Sequence, residues 1–348
     1  MSGEMMGREI KRAEMIGEER FDKIVSSFDS IAPILVVGDV GIDKYTFGAV
    51  TRISPEAPVP VVEVKKEWFK LGLAANVSDN LQGLEVASTL CGVTGSDRNG
   101  ELFDNLLEER QLKTWGIVRE DIRPTTYKER ITTNVQQVCR VDYETKECIS
   151  PESERKVIDR ALDFMGTHSA VILEDYGKGL LTEKLAHELI QTAREQGKWI
   201  AVDPSEKTPP RFYRKANLLK PNRKEAMALA SNLGHRSITL AETAKVLLNE
   251  LELDSIIITL GPEGMALMNR EDETLMAIPT VASEVFDVSG AGDTAVSAII
   301  SSLVCGADLE EAAWIGNFAS GVVVGKKGTA QVSRSELREF FRRAKNKL

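Results

Sequence analysis

The segment Asp287-Val-Ser-Gly-Ala-Gly-Asp293, running on into Thr294-Ala-Val-Ser-Ala-Ile-Ile300, has the residue types for moving a charged group. Its small residues open an apolar stretch long enough for a helix. Gly290, Ala291 and Gly292 leave backbone N–H groups bare at that helix's N-terminus, which makes an anion site. Asp293 follows at once, a carboxylate able to orient and deprotonate a hydroxyl. Donors for phosphate charge beside a base are what phosphoryl transfer requires. Two other readings fit the same residues. Gly290 to Ala295 spells Gly-x-Gly-x-x-Ala, a dinucleotide fingerprint. That fingerprint belongs after a strand early in a βαβ unit, whereas here it opens a helical C-terminal region. A plain glycine-rich cap, with Asp293 as a dipole-favoured charge, is the third. A P-loop is absent, because Gly321-Val-Val-Val-Gly325-Lys326 is one residue short and continues with Lys327 rather than Ser or Thr.

The surrounding pattern must position such a segment. Ile34-Leu-Val-Val37 is a short buried-strand run ending in Gly38-Asp39. Strands are also expected at 85–91, 170–173, 199–202, 216–219 and 255–260. Helices are expected at 71–84, 150–165, 183–196, 224–233 and 241–251. Repeated strand–helix alternation predicts βαβ units and a mostly parallel sheet, with ligands at its carboxyl edge. Residues 45–65 and 125–145 differ. Their prolines and β-favouring residues predict antiparallel strands outside the main sheet. Residues 1–32 read as a leading helical extension, 33–340 as one α/β core with this small β addition, and 341–348 as a tail.

Composition limits the classes of function. The 348 residues carry a net charge of −9, with 42% apolar and 28% charged residues. An acidic, ordinarily apolar chain is expected to be soluble and to avoid nucleic acid and anionic membrane surfaces. Cys91, Cys139, Cys148 and Cys305 are scattered, as are His168, His187 and His235. Reduced thiols, a cytoplasmic location and no zinc centre are expected. The N-terminus lacks the apolar core of a signal peptide, and 295–307 is too short to span a bilayer.

The glycine segment, with Gly38-Asp-Val-Gly-Ile-Asp43 near the N-terminus, resembles the ribokinase-like (PfkB) sugar kinase family over about residues 33–340. Arg52-Ile-Ser-Pro-Glu-Ala-Pro-Val-Pro60 is a longer signal and resembles the bacterial heptose-phosphate kinases. So do Ala74-Ala-Asn76, Gln136-Gln137 with Arg140-Val-Asp142, Asp175-Tyr-Gly-Lys-Gly179 and Gly321 to Lys326. The resemblance implies a three-layer α/β/α sandwich with a small β-sheet lid. It implies Asp293 as the base and Gly290, Ala291 and Gly292 as the anion hole. Lys220-Pro-Asn222-Arg-Lys-Glu225 matches the family's Asn-x-x-Glu, with Asn222 near the phosphates and Glu225 holding Mg²⁺ largely through water. Thr259, Gly261 and Gly264 are implied at the nucleotide and Asn317 at the adenine. Read alone, Asn222 and Glu225 are a helix-capping pair and Thr259 an ordinary strand end.

For the sugar, the resemblance implies that Asp43 and Asn76 take hydroxyls, with Asp175 and Lys178 facing the same cleft. A phosphorylated sugar needs cations, and Arg52, Arg130, Arg140 and Lys178 are the candidates. Each reads equally well as a solvated surface charge. A lid made from the two β segments would exclude water and, as in related kinases, pair two subunits into a homodimer. A potassium site near Asp287 and the 325–328 loop is a further expectation from the resemblance. One departure stands out. The family's second glycine before Ala-Ala-Asn is Leu73 here, and its Cβ restricts φ.

The expected activity is ATP-dependent phosphorylation of D-glycero-D-manno-heptose 7-phosphate at the anomeric hydroxyl, giving the 1,7-bisphosphate for nucleotide-activated heptose and lipopolysaccharide core synthesis. The alternatives are a related kinase for another sugar, sugar phosphate or nucleoside, a non-catalytic sugar-phosphate sensor, and more distantly a dehydrogenase. Related bifunctional enzymes carry a nucleotidyltransferase domain after the kinase. With Leu348 the last residue, that second activity is not expected.

Overall fold

The computed structural model describes residues 10–134, 136–281, 285–326 and 330–346. Among these, one large sheet contains β1 (Ile10–Arg12), β2 (Ile34–Gly38), β5 (Ser88–Gly95), β6 (Gly116–Glu120), β9 (Ala170–Glu174), β10 (Trp199–Asp203), β11 (Leu218–Leu219), β12 (Ser255–Thr259), β13 (Met265–Asn269) and β14 (Leu275–Ile278). A small sheet contains β3 (Val40–Ile53), β4 (Pro60–Leu73), β7 (Thr126–Thr132) and β8 (Gln137–Tyr143). The large sheet runs β1-β14-β13-β12-β11-β10-β9-β2-β5-β6. Its pairs are parallel except β12–β13 and β13–β14.

The central strands are buried on both faces, so they read as continuous apolar runs rather than alternations. Ile34 and Val36 point into one core and Leu35 and Val37 into the other. The first core is covered by α1 (Glu18–Ser26), α2 (Ala74–Gly83), α3 (Arg98–Glu109), α8 (Ala291–Val304), α9 (Leu309–Val324) and α10 (Arg334–Lys345). The second is covered by α4 (Pro151–Met165), α5 (Glu183–Glu195), α6 (Arg223–Asn232) and α7 (Leu240–Glu250). Helices on both faces of a mostly parallel sheet make the three layers expected, and β4-β3-β7-β8 is the small additional sheet.

Several elements differ from expectation. The N-terminal segment is not wholly helical: Ile10–Arg12 adds a parallel strand beside β14, and the helix starts at Glu18. Residues 341–345 are the last turns of α10 rather than a tail, and Phe341 stacks on Phe21 with centroids 4.0 Å apart. The lid strands are longer than 45–65 implies, because β3 and β4 continue to the sheet edge and α2 begins only at Ala74. The antiparallel strands β13 and β14, the strand β6 and helix α3 have no counterpart in the sequence reading. No helix among the described residues is long and apolar enough to cross a membrane.

Candidate active site

Three parallel strands end side by side at the carboxyl edge of the large sheet. β9 ends in Glu174, β10 in Asp203, and Lys220 follows β11. Helix α8 points its N-terminus at this edge. Gly290 caps it at φ 81° and ψ 0°, a left-handed conformation that favours glycine. Ala291 N–H donates to Val288 O, whereas the N–H groups of Gly292 and Asp293 have no acceptor among the described residues. A Cβ on Gly292 would stand 3.6 Å from Lys220 Nζ and 3.8 Å from an Asp203 oxygen, so the bare backbone and the ammonium share one concavity.

Asp293 is buried. Its Oδ2 accepts from Asn76 Nδ2 at 2.5 Å and its Oδ1 from Tyr176 OH at 2.7 Å. Burial pushes its carboxyl up to about 6, with Asp203 adding to the rise while the two donors and Lys220 oppose it. Lys220 Nζ pairs with Asp203 Oδ2 at 2.7 Å. One oxygen from each of Glu174, Asp203 and Asp293 lies within 4.8 Å of the others. Burial, then Asp203 and Asp293, hold the Glu174 carboxyl well above its ordinary range. Its Oε2 has no hydrogen-bond partner among the described residues.

On the side expected for the nucleotide, Asn222 and Thr259 bridge as neighbouring strand residues, and Thr259 N–H donates to Pro221 O. Asn222 and Glu225 form a reciprocal capping box at the start of α6. The capping role is therefore real, yet it engages only one Glu225 oxygen. Burial and then Asp203 push the Glu225 carboxyl up to about 7. Gly261 sits in an open turn at φ 60°. Gly264, at φ 99°, packs against the backbone of Ile278, leaving no room for a Cβ. Asn317 lies on buried α9 and donates to Pro279 O at 2.8 Å, holding the connection after β14. Asp287 accepts from Ser289 N–H. The loop expected with it for potassium, 325–328, falls partly outside the described residues.

On the sugar side the structure separates the candidates. Asn76 reaches Asp293 itself. Asp43 is buried where β3 leaves the core and takes Arg130 as ion-pair partner at 2.7 Å. Arg140 pairs with Asp142 of its own strand and Lys178 with Glu144. Asp175 turns away from Asp293: it accepts from Tyr213 OH at 2.7 Å and Gly177 N–H at 2.7 Å, anchoring the 205–213 segment. Arg52 is not brought to the site. It stands nine residues beyond Asp43 on β3, a reach of roughly 30 Å along an extended strand, at the exposed outer end of the lid. Leu73, the departure noted in the sequence, occupies the N-cap of α2 at φ 59° and ψ −138°.

Residues 34–336 match the pfkB family carbohydrate kinase model. The chain belongs to this family. A pfkB carbohydrate kinase is a phosphotransferase acting on a sugar hydroxyl, and the ribokinase type works with ATP and a divalent metal. The bifunctional protein HldE of Wolinella succinogenes is 42% identical over 88% of this chain and 64% of its own length. The HldE protein of Citrifermentans bemidjiense is 42% identical over 87% of this chain and 62% of its own. The chain thus spans under two thirds of these relatives. Among solved structures, phosphofructokinase-2 of Escherichia coli in complex with potassium shares the fold at a TM-score of 0.74 and 20% identity, covering 90% of this chain and all of that one. Arabidopsis thaliana ribokinase complexed with ribose and ATP does so at 0.68 and 19%, covering 89% and 98%.

Sequence reasoning missed Tyr176, Glu174, Asp203 and Lys220. The signal for the last three was present, since each follows or ends a predicted parallel strand and so stands at the edge where ligands gather. Tyr176 gave less warning, set between Asp175 and Gly177 in a loop after the strand. Asp39 was also passed over. It accepts from Tyr176, Lys178 and Leu180 N–H groups and so fixes the loop that presents Tyr176.

Proposed function

We propose that this kinase phosphorylates the anomeric hydroxyl of D-glycero-D-manno-heptose 7-phosphate, using ATP, to give the 1,7-bisphosphate. The observation that carries the chemistry is Asp293, buried between two donors and directly beside the free N–H groups at the start of α8. Asp293 accepts the hydroxyl proton, while Gly292 and Asp293 N–H groups and Lys220 face the charge on the transferred phosphoryl group. The residues present also suit a divalent cation. Glu174, Asp203, Glu225 and Asp293 face the single ammonium of Lys220, and all offer oxygen donors. Glu225 and Asp203 would hold Mg²⁺, which neutralises ATP phosphate charge when bound. The identity of the sugar rests on the Arg52–Pro60 segment and on the HldE relatives.

Two further parts of the reading concern assembly. The lid closes over the sugar, and lids of two copies pair. Support comes from the open edge of β4 and from Val50, Ile53, Val59 and Val64, which are exposed on the lid.

The test is ADP release from Mg·ATP with heptose 7-phosphate, fructose 6-phosphate, ribose, fructose and adenosine. Heptose 7-phosphate is expected to give the highest kcat/KM, and Asp293→Asn to abolish that turnover while ATP still binds. Preference for another sugar would overturn the substrate. Turnover by the Asn variant within a few-fold of wild type would remove Asp293 as the base.

A further inference from the structure

Four cations gather where the lid meets the core: Lys128 and Arg130 on β7, Arg140 on β8, and Lys178 on the loop after β9. Three carboxylates accompany them, and each is already engaged. Asp43 pairs with Arg130, Asp142 with Arg140 and Glu144 with Lys178. Lys128 is left over. It stands opposite Asp43 and Asp142 in the strand register, yet no carboxylate among the described residues comes within ion-pair distance of its ammonium. Burial pulls its pKa down, and the like charge of Lys178 pulls it further. Glu144, Asp43 and Asp142 oppose that fall from a distance, but each is held by another cation, so the Lys128 ammonium is the one at this place with no ion-pair partner among the described residues.

The position of Lys128 says which part of a ligand it meets. Its Nζ lies over the ring of Tyr176, 6.0 Å from the centroid. The hydroxyl of the same tyrosine donates to Asp293. Lys128 and the base are therefore separated by about one tyrosine side chain, which is the scale of one small sugar.

We propose that Lys128 binds the phosphate of a phosphorylated sugar whose reacting hydroxyl lies on Asp293, and so selects the sugar phosphate over the free sugar. The inference rests on the reading of this site as a sugar-phosphate kinase. Because Lys128 belongs to the lid, a phosphate it holds on a sugar seated at Asp293 also draws the lid down over the sugar.

The experiment compares kcat/KM for each sugar phosphate with that for its dephosphorylated form, using heptose 7-phosphate and heptose, then fructose 6-phosphate and fructose. Wild type, Lys128→Met and Lys128→Arg are measured. Lys128→Met is expected to cut the preference for the phosphorylated member by about 30-fold, the scale of a charge-assisted hydrogen bond, through KM for the sugar. KM for ATP stays within about twofold, and Lys128→Arg restores most of the preference. If heptose 7-phosphate is not turned over but fructose 6-phosphate is, the heptose assignment falls and Lys128 is judged on the fructose pair. A Met variant that keeps the wild-type preference, or a wild type with no preference for phosphorylated sugars, overturns the role of Lys128.

Discussion

Asp293 carries two hydrogen bonds that oppose its surroundings. Burial favours the neutral acid, while Asn76 and Tyr176 favour the carboxylate, and the balance leaves the group near 6. A base works only when ionised. Activity is therefore full above about pH 6 and is lost as pH falls through that value, with kcat/KM dropping about tenfold per unit below it. Tyr176→Phe removes a donor to the carboxylate and keeps the ring. The acid limb should then move to higher pH, because the charged form has lost a partner. A pH–rate profile of the two proteins checks this, and a limb that stays in place would show that the hydroxyl does not act on Asp293. At this scale the sequence was legible where a residue type and its spacing carry the chemistry by themselves. Asp293 behind two glycines is such a case. Tyr176 is not, since its role exists only once β9 and α8 are brought edge to end.

At the scale of elements, α2 begins on a residue in the wrong conformation for its type. Leu73 has φ 59° and ψ −138°, a region that costs a non-glycine residue roughly 1–3 kcal/mol. Its side chain is buried, which returns a similar amount. Two substitutions separate these effects. Leu73→Gly loses the burial and relieves the backbone. Leu73→Ala loses the burial and keeps the strain. The glycine variant should therefore be the more stable of the two by about 1 kcal/mol, reversing the usual order of Ala over Gly next to a helix. Urea unfolding of both variants decides it, and an alanine variant as stable as the glycine one would remove strain from the account. The departure at 73 could be read from the sequence because neighbouring residues fix the register of the motif. Other elements could not. Ile10–Arg12 is three residues long with no periodicity, and becomes a strand only by pairing with Leu275–Ala277, far along the chain. The strands β13 and β14 are short apolar runs whose antiparallel direction depends on the turns between them.

At the scale of the molecule, α1 and α10 are fastened together and the lid is left open. Phe21 stacks on Phe341, Phe318 meets both edge-on, and Arg20 pairs with Glu311 at 2.7 Å. Helix α1 is thus part of the body of the protein. The lid has no such cover. β4 is an edge strand fourteen residues long, and such an edge in a monomer invites pairing with another chain. Val50, Ile53, Val59 and Val64 lie on the lid, with Ile53 60% exposed. Charges on β4, among them Lys65 and Lys66, temper the edge but leave the apolar side chains uncovered. Pairing of two lids would cover them, and a stable interface needs on the order of 1,200–2,000 Å² in total, an area that two long hairpins can supply. The expectation is a dimer in solution by light scattering at micromolar concentration. Ile53→Asp combined with Val64→Asp should convert it to a monomer, because burying two new carboxylates without partners costs several kcal/mol. Both positions are exposed within one chain, so the fold itself should survive and the melting temperature of the monomer report that. A wild type that is monomeric throughout, or a double variant that remains dimeric, would place the contact elsewhere or remove it.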